Sequence, residues 1–234
     1  MKITLIVLLI GLAMIAVERF RPGRAWPSVP TWWLRAIALN IAQIGVVFLA
    51  GSTWDRWLVR REPWLTGIGG ALMGYFVITF IYYWWHRARH RSDFLWRWLH
   101  QVHHSAQRIE IITSFYKHPA EQLMNGLLSS AILYLLLGLD VRAATLAATL
   151  TGIVELFYHW NIRTPYWLGF VIQRPESHLV HHQEGVHHYN YSDLPLWDML
   201  FGTFRNPRAW ESRCGFAEDR ETRLGELLIG RVLS

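Results

Sequence analysis

The sequence contains little cysteine and little charge. Cys214 is the only cysteine among 234 residues, which excludes an intramolecular disulfide framework and an iron–sulfur cluster held by four cysteines. Charged residues make up only 17% of the chain, whereas 52% are hydrophobic, and the mean hydropathy is +0.15. An ordinary soluble domain carries more charge than this, so the composition favours a protein that lies in a membrane.

Long apolar runs divide the chain and predict its fold class. The five runs lie at residues 3–17, 32–51, 64–85, 123–139 and 143–160. The third contains no charged residue over its whole length, which exceeds the ~20 residues needed to span hydrocarbon. We therefore predict an all-α integral membrane helical bundle with four to five apolar spans or re-entrant helices. The first run is expected to be an uncleaved span, because no small-residue cleavage site follows it.

Histidine is absent from residues 1–85, and all twelve histidines lie between His86 and His188. This division predicts two parts of the chain. We expect N-terminal membrane anchor spans over residues 1–85 and a catalytic region over residues 86–234, which includes a membrane hairpin at 123–160.

The basic residues predict the orientation in the membrane. The segments 86–121 and 161–234 hold 14 of the 23 lysines and arginines, and such residues collect on the cytoplasmic side. This bias predicts a multi-pass protein of the cell (inner) membrane, in which the histidine-rich segments form a cytosolic helical cap. Orientation also accounts for the net charge of +6, so no nucleic-acid partner is expected.

Three histidine motifs indicate a metal centre. The chain carries HRARH at 86–90, HQVHH at 100–104 and HLVHH at 178–182. Helical residues three or four apart share a face, so each motif can direct two or three ring nitrogens toward a common point. Two matching H-x-x-H-H motifs arise by chance in about one sequence of this length in a thousand.

The number of clustered imidazoles favours two metal ions. They exceed the ligands of one tetrahedral zinc ion. The H-E-x-x-H motif of metalloproteases and the paired Glu-x-x-His helices of carboxylate di-iron bundles are both absent from the sequence. Neutral imidazoles in this number suit two first-row ions with positions left for water or dioxygen, so we expect the cytosolic helical cap to hold a His-rich dimetal site. Iron is the redox-active choice, and zinc is a possible substitute on expression.

Together with their surroundings, these motifs resemble the fatty acid hydroxylase/sterol desaturase superfamily of integral-membrane di-iron enzymes. The phrases FLWRWLHQVHHSAQ and NYSDLPLWDMLFGTF are similar to family signatures, in the family's order. The resemblance implies nine iron ligands, which are His86, His90, His100, His103, His104, His159, His178, His181 and His182. His187 and His188 stand where family members often have an acid. They could replace that acid, complete a coordination sphere or be solvated.

Other polar residues are candidates to orient the ligands, because a metal-bound histidine usually donates its second N–H to a carboxylate or carbonyl. The candidates are Glu155, Asn161, Asn190, Asp193 and Asp198. Glu155 precedes His159 by one helical turn in an otherwise apolar run, where an acid is costly unless it is paired. We therefore expect Glu155 to face the metal centre or a polar channel.

The resemblance implies a membrane-bound, oxygen-dependent di-iron oxidase that hydroxylates an unactivated C–H bond of a lipid. The expected substrates are sterol- or hopanoid-like lipids, fatty acyl chains or amino-acid lipids. No flavin, nicotinamide or iron–sulfur signature is present, so an external electron donor is expected, a ferredoxin or a cytochrome b5-like carrier with its reductase.

The sequence leaves three alternatives open. The same site could serve a lipid or sterol desaturase, which differs only in the fate of the substrate. A metal transporter or a structural zinc-binding membrane protein is a more distant alternative. A transporter needs ionisable ligands inside its spans, whereas the first three apolar runs contain no histidine.

Overall fold

The computed structural model describes residues 2–58, 62–217 and 219–232. Over these ranges the ordered elements are helical, and the only β-structure is two isolated bridges, Leu65–Leu139 and Gln183–Cys214. The predicted all-α class is therefore confirmed. The α-helices in chain order are α1 (Lys2–Phe20), α2 (Trp32–Leu49), α3 (Asp55–Leu58), α4 (Gly67–Arg91), α5 (Asp93–Leu95), α6 (Gln101–His104), α7 (Pro119–Ser130), α8 (Val141–His159), α9 (Pro175–His181), α10 (Pro195–Leu200) and α11 (Leu224–Leu228).

Shorter helical elements of other types join these helices. The π-helical turns are Ala50–Trp54, Trp96–His100 and Ala131–Leu136. The 3-10 turns are Ile111–Phe115, Tyr166–Phe170 and Arg220–Thr222.

In the part of the chain that the structure describes, three helical stretches are long and apolar enough to cross a membrane. They are Trp32–Leu58, Gly67–Arg91 and Val141–His159, and they correspond to three of the five apolar runs. The run at 123–139 is instead divided between α7 and the π-helical turn that follows it. The number of spans, four to five, stays a prediction, as do the two-part division and the cytosolic cap.

Small residues let α4 and α8 pack closely along their length. A Cβ atom on Gly74 would lie 2.9 Å from a side-chain carbon of Leu139 and 3.0 Å from the Cβ of Ala147. Such contacts matter because lipid tails give no hydrophobic drive for helices to associate. The two helices also begin side by side, where the backbone N–H of Asp140 donates to the carbonyl of Leu65 at 3.2 Å. Their C-terminal ends, which carry histidines, therefore lie on the same side of the molecule.

Side chains fix where α7 and α8 begin. The carboxylate of Asp140 accepts a hydrogen bond from the N–H of Ala143 at 2.9 Å, which satisfies a free donor at the start of α8. Nδ1 of His118 accepts from the N–H of Ala120 at 3.0 Å, and Pro119 occupies the first position of α7. His118 thus caps a helix.

The C-terminal segment connects α9 to α6. The N–H of Gly215 donates to the carbonyl of His182 at 3.1 Å, and the N–H of Phe216 donates to the carbonyl of Ser105 at 3.4 Å. Phe216 is buried in one hydrophobic cluster with Val102 of α6 and Leu179 of α9. The segment therefore holds the two histidine-bearing elements at a fixed separation.

Candidate metal centre

Nine histidine side chains form two groups, and in each group the candidate ligand atoms all lie within 4.8 Å of one another. Group A consists of His86, His90, His100, His104 and His181. Group B consists of His103, His159, His178 and His182. The structure thus brings together all nine residues that the family resemblance implies as ligands. Their binding of metal stays a prediction.

Four parts of the fold supply these side chains. The last two turns of α4 carry His86 and His90, and α8 ends at His159. The HQVHH motif spans the π-helical turn Trp96–His100 and α6, while HLVHH spans α9 and the residue after it. Candidate spans therefore deliver three of the nine histidines, and the short elements outside these spans deliver the other six.

Each H-x-x-H-H motif contributes to both groups. In HQVHH, His100 and His104 belong to group A and His103 to group B. In HLVHH, His178 and His182 belong to group B and His181 to group A. Helical residues are about 100° apart around the axis, so the fourth and fifth positions of a motif point in different directions. The first and fifth positions, one turn apart, share a group.

Distances between ring nitrogens fit metal coordination. Nε2 of His178 lies 3.1 Å from Nε2 of His159 and 3.0 Å from Nε2 of His182, and the Nε2 atoms of His100 and His104 are 3.2 Å apart. Two nitrogens bound to one ion at 2.0–2.1 Å, the length of a zinc–imidazole bond, are about 3.0–3.4 Å apart. The spacing within each group is therefore that of neighbouring ligands.

Several buried ring nitrogens have no hydrogen-bond partner among the described residues. They include Nε2 of His86, both nitrogens of His90 and Nε2 of His181, all in group A. A buried polar atom without a partner costs about 1–3 kcal/mol, so this arrangement is unfavourable unless an ion occupies the space between the rings. The residues present fit a bound metal in both groups.

Main-chain carbonyls hold the outer nitrogen of several imidazoles. Nδ1 of His86 donates to the carbonyl of Tyr191, and Nδ1 of His181 donates to that of Tyr189, both at 2.8 Å. A carbonyl only accepts, so Nδ1 carries the proton and the lone pair lies on Nε2. In group B, His159 and His103 use the carbonyls of Glu155 (2.9 Å) and Tyr116 (3.3 Å) in the same way.

Burial keeps the imidazoles neutral. For the histidines outside the candidate spans, burial is the largest cause that lowers the pKa, and neighbouring histidines lower the pKa further. The pKa of His181 falls to about 3, and the same cause holds the pKa well below its usual value for His100, His103, His104, His178 and His182. Only the neutral ring binds a metal ion, so burial favours the ligating form.

The five acids and amides considered as orienting residues have other partners. The Glu155 side chain pairs with Lys117, and only its main-chain carbonyl contacts His159. The carboxylate of Asp193 lies beside Tyr158, whose ring centroid is 4.3 Å from that of His178. Among the described residues, none of the five side chains hydrogen-bonds to an imidazole of either group.

The side chains of the other three residues hydrogen-bond to the main chain, two of them near the histidine groups and one near the end of α1. Asp198 accepts from the N–H of Tyr191 at 2.8 Å and so positions the carbonyl that holds His86. Asn190 donates to the carbonyl of Ser177 at 2.7 Å. Asn161 exchanges hydrogen bonds with the backbone of Arg24, close to the end of α1.

His187 and His188 differ in their environment. His187 is half-buried, with its ring centroid 4.9 Å from that of His104 and 6.0 Å from that of His90. Its Nδ1 donates to the carbonyl of His181 at 3.3 Å, and burial lowers its pKa. His188 is exposed. His187 therefore lies against group A without belonging to it.

Sequence reasoning missed two polar residues that lie outside the histidine motifs and contact the groups. Glu121 accepts a hydrogen bond from Nδ1 of His100 at 3.0 Å, and the side-chain amide of Gln173 lies 2.8 Å from Nδ1 of His178. Neither residue lies in a histidine motif. Glu121 belongs to HPAEQ at 118–122, and nothing in that stretch of sequence indicates its partner.

Comparisons with known proteins agree with the resemblance. The fatty acid hydroxylase family model matches residues 71–203. Similar proteins include the sphingolipid C4-hydroxylase of Schizosaccharomyces pombe, 28% identical over 139 residues (58% of this chain, 47% of the relative). The ornithine lipid hydroxylase of Rhizobium tropici is 32% identical over 143 residues (58% and 42%). The alkylglycerol monooxygenase of Danio rerio is 30% identical over 159 residues (64% and 34%).

The chain spans less than half the length of these three relatives. No solved structure matches the chain.

Proposed function

Because the chain belongs to the fatty acid hydroxylase family, we propose that it is a membrane-bound, oxygen-dependent enzyme that hydroxylates an unactivated C–H bond of a lipid. The observation that carries this proposal is the convergence of nine buried or half-buried imidazoles into two adjacent groups. Groups A and B each hold one iron ion in this proposal. Two bound iron ions would supply the redox chemistry with dioxygen that oxidation of such a bond requires.

The residues of the chain position the imidazoles, keep them neutral and exclude water from them. Main-chain carbonyls fix the tautomer of at least four imidazoles, so their Nε2 lone pairs point into the groups. Most of the nine rings are buried, which limits the access of water to the oxidation site. The groups lie where α4 and α8 end, so a lipid can present a carbon to them from the bilayer.

The substrate classes remain those expected from the sequence: sterol- or hopanoid-like lipids, fatty acyl chains and amino-acid lipids. The named relatives act on a sphingolipid, an ornithine lipid and an alkylglycerol. These names support a lipid with a polar head group. We propose hydroxylation rather than desaturation because the three relatives are hydroxylases or monooxygenases by name.

The remaining parts of the proposal concern the setting of the enzyme. Residues 1–85 anchor the chain and 86–234 form the catalytic region, with the metal centre on the cytoplasmic side of the cell membrane. Electrons come from a separate reductase through a ferredoxin or a cytochrome b5-like carrier.

The experiment uses the purified full chain in lipid nanodiscs, reconstituted with Fe²⁺. We expect about two irons per chain and substrate-dependent oxygen uptake when a reductase and ferredoxin are supplied. Comparative lipidomics of cells with and without the gene should reveal lipids that gain one oxygen atom. Lipids that lose two hydrogen atoms instead would indicate the desaturase.

Two results would contradict the proposal. One is metal-driven transport into proteoliposomes, which would indicate a transporter. The other is a stoichiometric zinc content with no oxygen uptake after iron reconstitution, which would indicate a structural metal site. His103→Ala and His181→Ala, one variant for each group, should abolish oxygen uptake, whereas the exposed His188→Ala should not.

A further inference from the structure

A buried carboxylate touches one histidine of group A. Glu121 lies in the first turn of α7 and is fully buried, as is His100. Oε1 of Glu121 is 3.0 Å from Nδ1 of His100. The same oxygen pairs with Nη1 of Arg89, which lies on α4 between His86 and His90. Three elements that are distant in the sequence thus meet at one oxygen atom.

The two neighbours of His100 have opposite effects on its tautomer. An ionised carboxylate only accepts, so Glu121 requires the proton of His100 on Nδ1 and leaves the lone pair on Nε2. Nη1 of Arg89, 3.1 Å from the same Nδ1, only donates. Without Glu121, Arg89 would favour a lone pair on Nδ1 and a proton on Nε2. Nε2 is the atom that faces His104 within group A, at 3.2 Å.

Glu121 differs from the other groups that hold imidazoles. Four of the outer nitrogens donate to neutral main-chain carbonyls. Among the described residues, Glu121 is the only side-chain carboxylate that hydrogen-bonds to either group. A charged acceptor makes a stronger hydrogen bond and raises the basicity of the ring more than a carbonyl does. Arg89 compensates its charge, since an unpaired carboxylate would be costly at this depth.

We propose that Glu121 is the positioning residue of group A: it fixes the Nδ1–H tautomer of His100 and strengthens metal binding by that ring. This proposal rests on the metal-binding role proposed above for group A. It concerns binding and not turnover, so it can be tested without a known substrate.

The test measures Co²⁺ binding by the full chain in detergent, because the absorption of Co²⁺ reports its coordination without any catalysis. In Glu121→Ala we expect the affinity of group A to fall by about 10–100-fold. The number of ions retained against a chelator should then decrease from two per chain to one, with a changed spectrum. Glu121→Gln keeps an oxygen that can accept from Nδ1–H, so it should retain more affinity than Glu121→Ala.

Glu221→Gln is the matched control. Glu221 is also fully buried and paired with an arginine, Arg35, at 3.1 Å, but it contacts neither histidine group in the described part of the chain. This variant should lose stability while the affinity and spectrum of bound Co²⁺ stay unchanged. A general effect of breaking a buried ion pair would instead appear in both glutamate variants.

Either of two outcomes would overturn the proposal. The first is wild-type affinity and spectrum in folded Glu121→Ala. The second is an equal loss of Co²⁺ in Glu221→Gln and Glu121→Ala. The wild-type protein separates this failure from failure of the proposed function. If it binds two ions but oxidises no lipid, the enzyme proposal fails while the role of Glu121 is still decided by the variants.

Discussion

The ring of His104 stacks against the ring of His182, with centroids 4.5 Å apart and planes 18° from parallel. His104 belongs to group A and His182 to group B. Each H-x-x-H-H motif has histidines in both groups, and this contact between two of them joins the groups directly. The metal content of one group should therefore depend on the other.

His104→Ala and His90→Ala test this coupling. His90 lies in group A, and its ring contacts no group B histidine among the described residues, so its loss should leave about one ion per chain. His104→Ala removes a ligand of group A and also the ring that packs against His182, so the protein should retain clearly less than one. Metal analysis after gel filtration measures both. Equal metal content in the two variants would show that the groups bind independently.

Gly215→Ala should weaken the main-chain contacts by which the C-terminal segment links the HQVHH and HLVHH motifs. Gly215 has φ +83°, and a Cβ there would lie 2.7 Å from main-chain atoms that follow Ser105. The backbone near group A would have to move, which adds about 1–3 kcal/mol to the cost of a positive φ. We expect a lower unfolding temperature and reduced metal content.

Gly185→Ala provides the control for this variant. Gly185 also has a positive φ, +72°, but nothing lies within 4 Å of the added Cβ. The positive φ alone should cost about 1–2 kcal/mol without loss of metal. If both alanine variants kept their metal and lost equal stability, the close approach at Gly215 would have no influence on the centre.

Asp198→Asn tests indirect support of His86. The carboxylate accepts from the N–H groups of Tyr191 (2.8 Å) and Ser192 (3.0 Å), and the Tyr191 carbonyl holds Nδ1 of His86. An asparagine has only one acceptor oxygen, so one buried N–H loses its partner at a cost of about 1–3 kcal/mol. Thermal unfolding should show this loss, and the ion in group A should be removed faster by a chelator than the ion in group B.

The exposed Asp93 is a suitable comparison for Asp198, because it starts α5 and bears no contact with a histidine among the described residues. Asp93→Asn should change the free energy of unfolding by less than about 0.5 kcal/mol. If both variants released metal at the wild-type rate, the Tyr191 carbonyl would not depend on Asp198.

The sequence alone predicts the helical class. The nine histidines that the family resemblance implies as ligands do meet in groups A and B, but their division between the two groups was not predicted. The charge-free run at 64–85 indicated a span because its length matches the hydrocarbon thickness, and it became most of α4. The H-x-x-H-H spacing predicted convergence because it follows the helical repeat. By contrast, the run at 123–139 has the composition of a span but is interrupted by a π-helical turn, and composition does not determine the type of helix.

The partners of the imidazoles were not predictable for a different reason. The expected acids and amides were chosen by side-chain chemistry, whereas the carbonyls of Tyr189 and Tyr191 hold His181 and His86. Every residue has a carbonyl, so its use leaves no mark on the sequence. Glu121 is 21 positions from His100 in the sequence and contacts it only because α7 packs near the π-helical turn Trp96–His100. Such contacts depend on tertiary packing, which the local pattern does not contain.

His187→Ala distinguishes the three roles that the sequence left open for the pair His187 and His188. His187 is not among the five residues whose candidate ligand atoms lie within 4.8 Å of one another, so the variant should keep two metal ions per chain. Its ring packs against Trp96, 5.4 Å away, and against His104. Loss of this half-buried ring should lower the stability by about 1 kcal/mol and alter the Co²⁺ spectrum of group A.

His188→Ala serves as the control, since the exposed neighbour should change neither stability nor spectrum. A decrease to one metal ion in His187→Ala alone would show that His187 completes a coordination sphere. Wild-type stability and spectrum in both variants would instead assign both rings to solvent. The expected result, two ions with a changed spectrum, corresponds to a ring that packs against the ligands and positions them, as a replacement for the acid that the family resemblance implies there.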